Sequence, residues 1–250
     1  SLMTVAAPAI GGLIYGFAGP AVTYYVMAVL TAVALLLTGL VPGIAPVAHA
    51  KRRIWGDIKE GLVYTLHNRT VLVLLLVALS TALLAMPFRT LLPVQIEEVF
   101  KKEVEALGLL LSMVGMGALI GSLVIASLSK NNHRGWVLLI TSMLSGVTIM
   151  LAAATTSYAV AVVIMVFIGL GDSGRRALNS SLIMEQTDEE HRGRVMGVYM
   201  MNFGLIPLGA LPLGFIASSF DVRIAFGLAG AALLVSAIGY TALTDLVRKL

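Results

Sequence analysis

The chain contains no cysteine, which excludes disulfides, thiolate metal sites and cysteine nucleophiles at once. Charge is scarce as well. Asp, Glu, Lys and Arg make up 12% of the 250 residues, about half the share of an ordinary soluble domain. With 58% apolar residues, a core of this length could not hide its apolar surface from water, so lipid must be the solvent for most of it. Catalytic patterns are missing too: there is no HExxH, no pair of acids at catalytic spacing and no serine triad. His49, His67, His133 and His191 all lie in or beside polar loops. An enzyme, a metal centre and a bound cofactor are therefore not expected. The net charge of +4 is spread over short loops rather than gathered on one face, which argues against a nucleic-acid partner. No positive segment leads the apolar run Ser1–Phe17, so no cleavable signal peptide is expected. That run is already under way at the first residue, so the sequence is expected to be a piece that begins in mid-protein.

What is present is a series of eight apolar segments, at about 2–17, 20–41, 70–94, 106–129, 135–155, 158–183, 194–218 and 222–244. Brief turn signals such as Ala18-Gly19-Pro20, Asn131-Asn132 and Ser218-Ser219 separate them. Segments this long and continuous suit membrane helices, since barrel strands would alternate every second residue. Of the 17 basic residues, 13 fall on one side of the resulting topology, including Lys51, Arg52, Arg53, Arg134, Arg192, Arg194, Arg248 and Lys249. Only Arg89, Lys101, Lys102 and Arg223 fall on the other side. The positive-inside rule makes the first side cytoplasmic, and the C-terminus with it. Residues 42–69 form the one long cytoplasmic connection. Ile54, Ile58, Leu62 and Leu66 recur there at helical spacing, which predicts a short helix lying along the membrane surface.

The most costly residues are those at membrane depth. Asp172, Arg175, Arg176 and Asn179 stand at i, i+3, i+4 and i+7, so they share one face of the helix predicted over 158–183. An ionised group in hydrocarbon costs at least about 3 kcal/mol, so such residues usually face a cavity or a partner. Two readings are open: a polar stripe along a central cavity, or an ion network near the cytoplasmic end with the arginines reaching for headgroups. Arg89 lies between Pro87 and Pro93, which should bend its helix. It is expected near the external interface, either reaching for headgroups or binding an anionic group. Gly169-Leu170-Gly171-Asp172-Ser173-Gly174 matches GxGxxG in form. A dinucleotide site needs a strand before those glycines, whereas here they sit inside an apolar run, which points to close helix packing instead. The pairs Gly12/Gly16, Gly117/Gly121 and Gly193/Gly197 are read the same way. Setting Gly12 against Gly214 aligns two proline- and glycine-rich helix pairs 202 residues apart, with six apolar segments in the interval. That interval is what two parallel six-helix halves would produce.

Thr187-Asp188-Glu189-Glu190-His191-Arg192-Gly193-Arg194-Val195-Met196-Gly197 resembles the RGR-containing loop between the tenth and eleventh helices of major facilitator superfamily efflux proteins. The branch it is most similar to holds macrolide-efflux and enterobactin-exporter-like proteins. Pro87-Phe88 and Leu91-Leu92-Pro93-Val94 resemble that branch's seventh helix, and Gly115, Gly117 and Gly121 its glycine-rich eighth. Ala7-Pro8-Ala9-Ile10-Gly11-Gly12 is similar to the GPxxGG antiporter motif of the fifth helix, with alanine in place of the first glycine. One departure is the loop after Gly121, Ser129-Lys130-Asn131-Asn132-His133-Arg134-Gly135, which lacks the acidic residue of the superfamily's GxxxDRxGRR.

The resemblance implies an all-α membrane protein: a helix bundle of about eight transmembrane helices, equivalent to helices five to twelve of twelve. Residues 1–41 would close the N-terminal half, 42–69 would be the cytoplasmic linker and 70–250 the C-terminal half. The first four helices would be missing from this sequence. It further implies proton-coupled export of a drug-like or siderophore-like small molecule by alternating access, in the inner (plasma) membrane. Asp172, Arg175, Arg176, Asn179 and Arg89 would line the substrate or proton pathway. Pro8, Gly11, Gly12, Gly117, Gly121, Asp188, Arg192, Gly193 and Arg194 would serve gating. Small-molecule substrate, protons and lipid are the implied partners.

Overall fold

The computed structural model describes residues 2–40, 54–103, 105–127 and 134–243, and every regular element among them is helical. The basic cluster 51–53, the loop 128–133 and the C-terminal Arg248 and Lys249 lie outside the described residues. In chain order the helices are α1 (Leu2–Gly39), α2 (Ile54–His67), α3 (Arg69–Ser80), α4 (Pro87–Glu98), α5 (Glu105–Ser127) and α6 (Arg134–Ala154). They continue as α7 (Tyr158–Glu185), α8 (Arg192–Gly204), α9 (Ile206–Ser219) and α10 (Val222–Leu243). A five-residue π-helical turn, Thr81–Ala85, joins α3 to α4.

Seven helical stretches among the described residues are long and apolar enough to cross a membrane. The segment expected at 2–17 is helical as well. The break expected at Ala18-Gly19-Pro20 is present: two helices meet at a kink within Leu2–Gly39. There Gly19 has φ 79°, a left-handed conformation open to glycine, just before a proline that has no N–H to donate. The surroundings of Pro8, Gly11 and Gly12, earlier in the same helix, lie outside the described residues.

Two of the spans are compound, and proline explains both. Pro87 cannot donate to the Leu83 carbonyl, and its ring would collide with that group in a regular helix. Widening the preceding turn relieves this conflict: the Met86 N–H bonds Thr81 at 3.1 Å, five residues back. Arg69–Glu98 is therefore one span of 30 residues with a bulge in its middle. Pro207 likewise opens α9 after a short break at Leu205, making Arg192–Ser219 a single span.

The bundle is ordered by backbone approach. Between helices in lipid there is no hydrophobic drive, so small residues that let backbones close in decide who packs on whom. The helix α5 runs along α7, α7 along α6, and α6 along α10, with α1 on the far side of α5. At the first crossing, a Cβ on Gly117 or Gly121 would meet the Val166 or Leu170 carbonyl, and one on Gly169 would meet that of Val114. At the third, Gly146 and Gly230 each face the other's carbonyl. The pair Gly193/Gly197 corrects the expectation of close packing: both have open space around them, because they lie in the first turns of α8 at the bundle's end.

The surface helix predicted within 42–69 is α2, and its orientation is informative. Gly61 and Thr65 are buried, while Trp55, Leu62 and Leu66 are exposed. Its apolar edge thus points outward, and its polar side docks on α8. Gly169→Val is expected to lower the unfolding temperature in detergent by an overpacking cost of about 1–3 kcal/mol, whereas Gly193→Ala leaves it unchanged. Thermal unfolding followed by intrinsic fluorescence measures both, and equal behaviour would contradict this packing.

Candidate functional site

Asp172 sits at the middle of the 28-residue α7. The glycines around it do not form a nucleotide loop; they lie inside a continuous helix and clear its two flanks. Gly169 lies against α5, while Gly171 and Gly174 lie against Ser145 and Thr141 of α6. With both flanks packed this closely, the third face of α7, which carries Asp172, Arg175, Arg176 and Asn179, turns toward α3, the π-turn and α8.

Three arginines converge on the one carboxylate. Arg175 Nη2 donates to Asp172 Oδ1 at 2.7 Å, and Arg176 Nη2 donates to Oδ2 at 2.6 Å. Arg89 Nη2, from α4, reaches the same Oδ2 at 3.3 Å. Arg89 thus points at a carboxylate inside the bundle. Its helix continues to Glu98, which places the side chain at the depth of Asp172. Asp172 and Arg175 are buried, whereas Arg89 and Arg176 keep 45% and 44% of their side-chain surface open. Among the described residues every ion pair of these arginines ends on Asp172.

Beside the cluster is a small cavity, with about 30 Å³ for water-sized occupants, lined by all four polar residues of the α7 face. Thr81 from the π-turn and Tyr199 and Asn202 from α8 complete its polar wall. It lies between two apolar clusters. One takes Ala161, Ile164, Met165 and Ile168 from α7 and adds Phe88, Leu92 and Phe226. The other takes Leu178, Leu182 and Ile183 from α7 and adds Leu74, Leu138 and Val195. Charge is thus confined to one layer with apolar packing above and below. Tyr199 and Asn202 were not legible as site residues in the sequence, although Asn202 is the single amide in the apolar run 195–217.

A second polar assembly closes one end of the bundle, where the RGR segment docks on α2. Arg194 Nε donates to Asp57 Oδ1 at 3.1 Å, and its Nη1 lies 2.8 Å from Glu60 Oε1, off the hydrogen-bond direction. His191 stacks on Tyr64 with ring centroids 4.5 Å apart, and the Tyr64 hydroxyl donates to Asp188 at 3.0 Å. A Cβ on Gly61 would meet the Arg194 carbonyl, so the helix needs glycine to seat this close. Arg192 takes a different partner: its Nε donates to the Met184 and Thr187 carbonyls at the end of α7. The α2 acids were missed because they are far off in sequence, Asp57 lying 137 residues from Arg194. Nearby, Arg134 binds both oxygens of Glu185 at 2.6 and 2.8 Å, so α7 supplies an acid that the loop before Arg134 lacks.

A bundle of apolar helices with one layer of buried charge defines a multi-pass membrane protein, and a histidine, aspartate and glutamate cluster able to hold a metal is absent among the described residues. The Major Facilitator Superfamily profile matches residues 1–210 and again 74–249, and the chain belongs to that superfamily. It is 27% identical over 143 residues to the staphyloferrin A transporter of Staphylococcus aureus (strain NCTC 8325 / PS 47). That match covers 57% of this chain and 36% of the relative, so the chain spans about a third of that curated protein's length. Both matches are to transporters rather than to enzymes.

Arg194→Ala is expected to free α2 while leaving the bundle folded. Amide exchange across 54–67 should rise severalfold, with about 1 kcal/mol or less lost from overall stability because the pairs are part-exposed. Unchanged exchange in α2 would show that the other contacts hold it alone.

Proposed function

We propose that this chain is part of a secondary active transporter that exports a small molecule by alternating access, coupled to protons. The observation that carries the reading is Asp172. It is the one carboxylate in the middle of the membrane-crossing helices among the described residues, and it is held by arginines from two different helices beside a cavity. A carboxylate so placed ties α4 to α7, so a change in its charge changes how firmly the two helices are joined. Membership of a transporter superfamily and a relative named for staphyloferrin A transport support a small-molecule cargo, drug-like or siderophore-like. The similarity of residues 7–12 to an antiporter motif favours export.

In this reading residues 1–41 close the N-terminal half, 42–69 form the linker and 70–250 are the C-terminal half, with four further helices preceding. The protein lies in the inner (plasma) membrane with the α2 end and the C-terminus in the cytoplasm, as the loop charges favour. Arg175, Arg176, Asn179 and Arg89 line the pathway with Asp172. At the cytoplasmic end, Asp188 and Arg194 hold α2 against the α7–α8 turn, Arg192 ties that turn to the end of α7, and Gly193 gives the turn room to move, so that together they form a gate. The glycines at 117 and 121 are the bearing on which α5 and α7 slide.

Asp172→Asn is expected to cut proton-coupled transport by at least about tenfold, the scale of removing an essential proton carrier, without loss of folded protein. Inside-out vesicles with labelled erythromycin, ethidium and citrate as cargos, and a pH-sensitive dye, read both fluxes. Unchanged cargo-dependent proton movement in that variant would remove Asp172 from the mechanism. A wild-type protein that moves none of the panel would favour a non-transporting membrane protein on the same fold.

A further inference from the structure

The charge layer is not balanced. One carboxylate faces three guanidinium groups, and the arginines have no second acid among the described residues. A surplus of positive charge at the middle of a membrane helix is costly and calls for a counter-charge. The hydrogen bonding is unfinished in the same place. Arg175 is 2% exposed and uses Nη2 on Asp172, yet its Nη1 is buried without a partner. Asn179, also 2% exposed, leaves Oδ1 unpartnered, and Asn202 leaves Nδ2 unpartnered. All three residues line the one cavity. A buried polar atom without a partner costs free energy, so three around one small space describe a site whose occupant completes them. The two asparagines adapt to that occupant, because an amide flip exchanges donor for acceptor.

The geometry points to an oxyanion subsite in this cavity, where a substrate carboxylate is bound by Arg175, Arg176 and Arg89 with Asn179 and Asn202 completing its shell. The inference rests on the transporter reading above and assigns the chemical class of its cargo: a small organic anion. Asp172 is the template for the assignment, since a carboxylate already occupies these donors at 2.6 to 3.3 Å. Guanidinium forks pair with such planar groups two bonds at a time. Arg89 and Arg176 are the entry side: their side chains are nearly half open, and both lean on the same Oδ2. An arriving carboxylate takes these two donors from Asp172 while Arg175 stays on Oδ1. Lipid phosphate is the less suitable source, because the cavity sits at mid-helix, about 20 Å by helical rise from either end of α7.

The subsite is tested by binding, with the purified full chain in neutral detergent. Succinate is the probe, with succinamide, 1,4-diaminobutane, inorganic phosphate and phosphatidylglycerol as alternatives of other charge or source. Succinate alone is expected to bind and to raise the unfolding temperature. Arg175→Gln should weaken it by about tenfold or more, the scale of truncating a buried charge partner. Arg89→Gln, at a half-open site, should weaken it less while remaining folded, and it carries the test if Arg175→Gln is not recovered as a folded species. Asp172→Asn should tighten succinate by about tenfold, since it removes the competing carboxylate, whereas Arg134→Gln, away from the cavity, should change nothing. Succinate binding that is absent, that is indifferent to Arg175 and Arg89, or that is weakened by Asp172→Asn overturns the subsite. Tighter binding of the diamine, phosphate or the lipid overturns the carboxylate assignment. The transport reading fails separately: succinate can bind as described while the vesicle panel stays still, or the panel can move while succinate does not bind.

Discussion

Everything at the centre of this bundle is arranged around Asp172 and its arginines. Removing a carboxylate or a guanidinium from water is among the largest costs a helix in a bilayer can carry, and only a close opposite charge offsets it. The pairs at 2.6 and 2.7 Å are made within one helix, between residues three and four apart, so they form as soon as α7 does. The Arg89 pair is of another kind. It spans α4 and α7 and exists only once the bundle has assembled. Asp172 shares its two oxygens among all three arginines, so the cross-helix link and the local ones hold each other in place.

The apolar packing serves that layer. Glycines on both flanks of α7 let α5 and α6 close against it, which leaves one face for charge. Phe88, Leu92, Ile168 and their neighbours seal the layer on one side, and Leu74, Leu178 and Val195 seal it on the other. Inside such a low-dielectric slab each charge–charge contact is stronger than in water, and each unpaired donor is costlier. The π-turn belongs to the same design. It relieves the conflict made by Pro87, and Thr81 and Ala82 from that turn line the cavity. The polar closure at the α2 end repeats the principle at the surface, where a partly exposed network holds an amphipathic helix whose apolar edge faces outward.

Much of this was legible in the sequence. Hydropathy located the crossing segments, and helical spacing joined Asp172, Arg175, Arg176 and Asn179 on one face, because both signals are local and have a fixed period. The surface helix over 54–67 was legible for the same reason. Glycine pairs were only half legible. A GxxxG spacing says that a backbone can approach, not that one does: Gly117 and Gly121 meet α7, whereas Gly193 and Gly197 meet nothing. The proline at 87 was read as a bend, and it is accommodated by a wider turn that keeps the span continuous.

The sequence by itself determined that this chain lies in lipid, which segments cross it, and that charge stands on one face of α7. Those properties follow from transfer free energies and from the helical repeat, which act residue by residue. Only the tertiary structure decided what the charge touches. Arg89 and Asp172 are 83 residues apart, and Arg194 and Asp57 are 137 apart, so nothing in local spacing could pair them. Their meeting depends on which helices pack side by side. In a membrane that choice rests on close backbone contacts between distant small residues rather than on burial, which lipid offers to every apolar face alike.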